Sequence, residues 1–247
     1  MTESSAEDVR EPYLFHGVVL PERAQLSLQS QVEFTQGRTG NLGQVRISIV
    51  LNQVAVWVDS DWDWDIFDLR NVVKNIVGNE LAMLGYLKGH AYEFEMTRVL
   101  SRGRGIDYVF GIDLPFLSGV SESDDLTGAM SDLREKGSGP AGVFLLRCFR
   151  DLVSAMKEAD DTAFYCYRAI ESLRNHCATT SGLMDAEWSA QWDRFRGIAG
   201  CEESTLRNIK DAADPVRHGH PTALDGPSRQ CLLVNTWGVV RGYVAAL

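Results

Sequence analysis

Residues 45–58 read Val-Arg-Ile-Ser-Ile-Val-Leu-Asn-Gln-Val-Ala-Val-Trp-Val, and the fold class turns on how they are read. From Val45 to Leu51 apolar and polar side chains alternate, and Val54 to Val58 alternates again, with the turn-type pair Asn52-Gln53 between them. A period of two sets one side of a strand on a core and the other toward water. Upstream, Gln25 to Phe34 alternates in part, and Gly37, Gly40 and Gly43 punctuate the connection. Downstream the period changes. Asp65 or Asp68 stands where a helix cap belongs, ahead of Ile66, Leu69, Val72, Val73, Ile76, Val77, Leu81 and Leu84 at helical spacing, and Gly85 reads as the stop. Strands resume at 91–100 and 106–112 around Ser101-Arg102-Gly103-Arg104-Gly105, which has the glycines of a hairpin loop. Residues 1–113 are therefore expected to form an antiparallel sheet with one long packed helix.

Residues 114–140 have the composition of a linker, with Ser121 to Asp125 and Lys136 to Pro140 unfit to continue a helix and a short helix at Leu126–Arg134 between them. Beyond them no strand pattern recurs. Helices are expected near 141–158, 162–178, 185–197, 203–213 and 227–246, and in the second of these Cys166, Ala169, Ile170, Leu173 and Cys177 form an apolar stripe. Helices of this length joined by short polar loops favour an antiparallel bundle over 141–247. The expected class is α+β, a sheet-plus-helix half followed by an all-α half.

Composition narrows the function. With 45% hydrophobic residues in 247, the chain can fill a real core. A net charge of -10 argues against general affinity for nucleic acid or membranes. Residues 1–140 hold 12 Lys and Arg against 21 Asp and Glu, whereas residues 141–247 hold 12 against 13, so a phosphate-facing patch belongs to the second half. The five cysteines are scattered without Cys-x-x-Cys spacing, which indicates neither a zinc knuckle nor a disulfide framework; Cys166 and Cys177 read as buried reduced thiols. The acidic start, Met1 to Asp8, has no apolar core of a signal peptide, and no apolar run reaches membrane-spanning length. A soluble cytoplasmic protein is expected.

Chemistry concentrates at Asp214-Pro215-Val216-Arg217-His218-Gly219-His220-Pro221, where two of the five histidines stand beside an arginine and between two prolines. His176 follows Arg174 late on the helix at 162–178. Imidazoles and guanidiniums bind phosphate and move protons, so Arg217, His218 and His220 are the catalytic candidates. Arg174, His176, Arg217 and His220 are the ligand-binding ones. Arg174 should flank the core, where either a salt bridge to Glu171, Asp211 or Asp214 or a ligand would engage it. If Asp214 is the partner, the Arg217 segment packs near that helix. The histidine spacings fit no common zinc pattern, and neither a metal nor another cofactor is expected. Gly37-x-x-Gly40-x-x-Gly43 precedes a strand rather than a helix and reads as a hairpin loop, not a phosphate loop. Asp59 to Asp65 lacks the calcium-loop arrangement and reads as an exposed strand-to-helix loop. Arg102 and Arg104 read as the soluble tip of a hairpin.

The helix around 164–174, written Tyr165-x-Tyr167-Arg168-Ala169-Ile170-Glu171-Ser172-Leu173-Arg174, is followed by Trp188 and Trp192 and then by Ile209 to Gly219. Together they resemble HEPN-like helical domains of bacterial proteins, often found near phage-defence or toxin systems. The resemblance covers 141–247. It implies an all-α bundle that commonly pairs as a homodimer. In its ribonuclease members an arginine separated from a histidine by four to six residues works without metal at the dimer cleft, the histidine on the 2′-hydroxyl proton and the arginine on the phosphate. This chain departs from that spacing: two residues separate Arg217 from His220, one separates Arg174 from His176 and seven separate Arg168 from His176. The one pair that fits, Arg10 and His16, lies in the N-terminal tail. The resemblance thus implies a non-catalytic binding or dimerisation protein, of a defence or toxin-antitoxin type of system, with a second copy and a further protein as partners. Its alternative is a metal-independent ribonuclease or nucleotide-directed enzyme centred on Arg217–His220, for which RNA or a nucleotide would be the substrate. A histidine-based pH or metal sensor rests on their proximity alone.

Overall fold

The computed structural model describes residues 12–35, 40, 42–60, 63–111, 114–117, 125–220 and 224–247. The chain divides into two compact units, Met1–Gly111 and Ile112–Leu247. The first carries a six-stranded sheet of order β2-β3-β4-β1-β5-β6, built from β1 (Tyr13–Leu20), β2 (Leu28–Thr35), β3 (Leu42–Val50), β4 (Gln53–Ser60), β5 (Glu93–Ser101) and β6 (Ile106–Val109). All its pairings are antiparallel. One helix, α1 (Ile66–Lys88), packs on it through Leu69, Val73, Val77 and Leu81, all buried and four residues apart. The expected sheet with one packed helix is what forms.

Alternation does not announce β1. It is a central strand, and its burial reads buried and half-buried in turn rather than buried and exposed, so both its faces tolerate apolar residues. Two further differences have local causes. The β3–β4 turn is Leu51-Asn52, one residue earlier than Asn52-Gln53, with both residues at positive φ (47 and 68) as a tight two-residue hairpin requires. Asn52 is buried because its amide bridges backbone: Oδ1 accepts from Leu26 N at 2.6 Å, and Nδ2 donates to Val19 O at 3.0 Å. Gly85, in turn, does not stop α1. The helix runs on to Lys88, with Gly89 in the left-handed cap (φ 65), and Gly85 is buried where the returning chain at His90 leaves no room for a Cβ. Asp65 is the N-cap, accepting from the N–H groups of Phe67 and Asp68.

The second unit is helical: α2 (Leu126–Lys136), α3 (Gly142–Lys157), α4 (Thr162–Thr180), α5 (Trp188–Ala199), α6 (Glu203–Arg217) and α7 (Gly226–Ala245), after a 3-10 turn at Pro115–Leu117. Helix α4 is the axis, in contact with α3, α5, α6 and α7. Its stripe of Cys166, Ala169, Ile170, Leu173 and Cys177 is fully buried. The short helix expected within residues 114–140 forms as α2, which belongs to this unit; Ser121 to Asp124 lie outside the described residues. Among the described residues no helix is long and apolar enough to cross a membrane.

Candidate functional site

Since α4 is enclosed by four helices, polar side chains along it are drawn into the interior and must find partners there. Arg168 reaches Asp151 on α3 with both ends of its guanidinium, Nε at 3.0 Å and Nη2 closer still, and Asp151 is buried. Six residues on, Arg174 is 5% exposed. The expected salt bridge does not form: Glu171 faces Arg217, Asp214 binds Lys210 and Arg217, and Asp211 takes no part. Arg174 is held by neutral groups instead. Nη1 donates to Gln191 Oε1 at 2.6 Å, Nη2 donates to Asn175 Oδ1 at 2.7 Å, and Nε has no hydrogen-bond partner. The guanidinium lies 4.1 Å from the Trp188 ring centre and 5.4 Å from that of Trp192, so the α5 indoles supply the stabilisation a carboxylate would have given. Gln191 spends its amide protons on Met184 O and Ala186 O, which leaves its oxygen for the arginine. Burial lowers the Arg174 pKa against the raising effect of Glu171.

His176 occupies another face of α4. Its Nδ1 shares a 2.8 Å hydrogen bond with the hydroxyl of Tyr243 on α7, and the two rings meet edge to face. Burial pushes the imidazole below its ordinary range and the Tyr243 phenol far above its own, so both stay neutral at physiological pH. Arg174 and His176, two residues apart, are thus committed to different neighbouring helices.

The Asp214–Pro221 stretch is not a free loop. Helix α6 continues through Pro215 to Arg217 and closes in a Schellman cap. Gly219 takes the left-handed conformation (φ 79), its N–H donating to Val216 O at 3.0 Å, while the His220 N–H donates to Pro215 O at 2.9 Å. Proline is tolerated here because it falls in the last turn, where its missing N–H removes a single helical bond. Arg217 lies 3.4 Å from Asp214 Oδ1 and 3.9 Å from Glu171 Oε1, with its guanidinium 5.1 Å from the Tyr167 ring centre. The end of α6 therefore does pack near α4, through Glu171 and Tyr167 rather than through Arg174. His218 and His220 are exposed in the cap. Pro221 lies outside the described residues, as does Arg10.

Three environments thus hold the five candidate residues: an indole cage for Arg174, a tyrosine pair for His176 and an exposed helix cap for Arg217, His218 and His220. Among the described residues no three His, Cys, Asp or Glu side chains gather as metal ligands would. Cys166 and Cys177 are buried, and burial raises both thiols, Cys166 to about 11. In the first unit Asp59 pairs with Arg46, and Asp61 and Trp62 lie outside the described residues, as does Gly37. Arg104 does not tip the hairpin into solvent; it lies over Tyr13 at 4.4 Å with Asp63 3.5 Å away. No local pattern points to Gln191, Tyr243 or Tyr167 as partners, because each is brought up by tertiary packing. The indoles Trp188 and Trp192, one turn apart, were visible in the sequence, but not their cation. Nor does the sequence signal the sheet's outer face, where two shallow hollows of about 550 and 510 Å³ flank Trp57.

Family comparison divides the chain much as the geometry does. Residues 13–110 match the Domain of unknown function (DUF8168) N-terminal domain, beginning at the first residue of β1 and ending just after β6. Residues 130–247 match the Domain of unknown function (DUF8168) C-terminal domain, from within α2 to the last residue. No curated protein and no solved structure matches the chain.

Proposed function

We propose that this chain, which belongs to the DUF8168 family, is a non-catalytic binding and dimerisation protein whose helical unit is HEPN-like. It acts in the cytoplasm, in a defence or toxin-antitoxin type of system, as a homodimer with a further protein partner. The observation that carries this reading is the state of the candidate residues. Arg217 is engaged by two carboxylates, Arg174 and His176 are buried against different helices, and His218 and His220 stand exposed at the end of α6. General acid-base chemistry on RNA requires a histidine and a phosphate-binding cation aimed at one point.

The test is RNA cleavage by the purified protein without added metal, compared with Arg217→Ala and His220→Ala. Cleavage no higher than a mock preparation is expected from all three. Cleavage by the wild type that both substitutions abolish would overturn the reading and establish a ribonuclease built on the end of α6.

A further inference from the structure

Strand β2 closes one side of the sheet and pairs only with β3. It is eight residues long and in unbroken register over its whole length, with no proline, no lysine and one charge, Glu33. Among the described residues no other backbone group reaches it. The opposite edge, β6, is four residues long. A regular edge of eight residues presents a row of unpaired N–H and C=O groups, and soluble proteins ordinarily blunt such edges with bulges, prolines or lysines. None of these devices is used here.

We propose that β2 is a self-association surface, pairing antiparallel with β2 of a second copy about a two-fold axis at Gln31, so that the two sheets become continuous. The occupant is a second copy because the strand complements itself. That register sets Leu28 opposite Phe34 and Ser30 opposite Val32 on the helix-covered side. On the outer side it sets Gln29 opposite Glu33, and Gln31 opposite itself. An apolar pair falls at each end, and the single charge meets an amide rather than its own kind. Sliding by two residues one way sets Phe34 against Ser30; sliding the other way shortens the overlap to about five residues. A slip of one residue sets the inner row beside the outer row. The isologous contact closes after two copies and leaves no β2 edge to recruit a third, only the four-residue β6 edge at either end. The inference shares with the proposed function only the homodimer, and it locates a contact on the sheet independently of the helices.

The test is the dimer dissociation constant of the full chain by sedimentation equilibrium, for the wild type, Gln29→Lys and Gln29→Glu. Position 29 is exposed and faces Ser48 within its own chain, so neither change disturbs the fold. Gln29→Lys creates two contacts with Glu33 across the axis and should tighten the dimer by about threefold to tenfold; Gln29→Glu creates two repulsions and should loosen it by a similar factor. Both effects should shrink in high salt. A dimer indifferent to position 29, or one that both changes move the same way, would overturn the β2 contact and leave the homodimer standing. A chain that stays monomeric at every concentration would overturn both, and would leave the non-catalytic reading to the RNA assay.

Discussion

Asn52 shows how much one side chain can hold. It is buried and its side chain takes three backbone contacts, from Leu26 and to Val19 and Pro21, so the β3–β4 turn is fastened to the end of β1 and the segment that follows it. Asn52→Ala leaves a buried N–H and a buried carbonyl without partners and should cost about 2–3 kcal/mol by urea denaturation. A loss under about 0.5 kcal/mol would mean that water replaces the amide at no cost. His176 makes a second prediction at this scale. Its folded pKa lies below the unfolded value, so the folded state takes up that proton less readily. Its contribution is complete above about pH 6.5 and is lost as pH falls from there toward the lower folded pKa. Urea midpoints from pH 7.5 to 5 should therefore fall more steeply for the wild type than for His176→Gln, and parallel curves would refute the assignment. The residue types at this scale were readable as chemistry, but their partners were not. Arg174 was legible as a core-flanking cation. That Trp188 and Gln191 would hold it depends on how α5 crosses α4, which no spacing encodes.

Among the elements, α7 approaches α5 closely enough to exclude a methyl group. A Cβ on Gly242 would stand 2.3 Å from the carbonyl oxygen of Ala199, whereas one on Gly238, a turn earlier, would meet nothing within 4 Å. The two glycines should therefore respond oppositely to alanine. Gly238→Ala should stabilise by up to about 1 kcal/mol through helix propensity, and Gly242→Ala should destabilise by about 1–3 kcal/mol because backbone must move. Thermal melts that rank them the other way would show that the two helices slide apart freely. The helices were legible in outline because their apolar stripes repeat every third and fourth residue, and α6 was cut short only because Pro215 looks like an end. A proline in a last turn breaks little, and Gly219 marks the true end. Strand β1 was illegible for the opposite reason, since its position among other strands erases the contrast that alternation needs.

The molecule as a whole has the sheet-then-helices order that the change of period at Asp65 announces. Its candidate residues, grouped in the sequence by type, are dispersed in space by the packing of α4. The order of the sheet carries one more consequence. The strand made first, β1, ends between β4 and β5, and Leu14 pairs with Leu100, which is added 86 residues later. At ribosomal speeds that delay is roughly 4 to 17 s, during which β4 can close one edge of β1 while the edge that β5 will cover stays open. The four strands from β1 to β4 can assemble in the meantime, but their sheet ends at β1 until β5 arrives. The nascent protein is thus most vulnerable to misassembly during its own synthesis, and a chaperone that shelters segment 13–20 until residue 100 arrives would protect its yield.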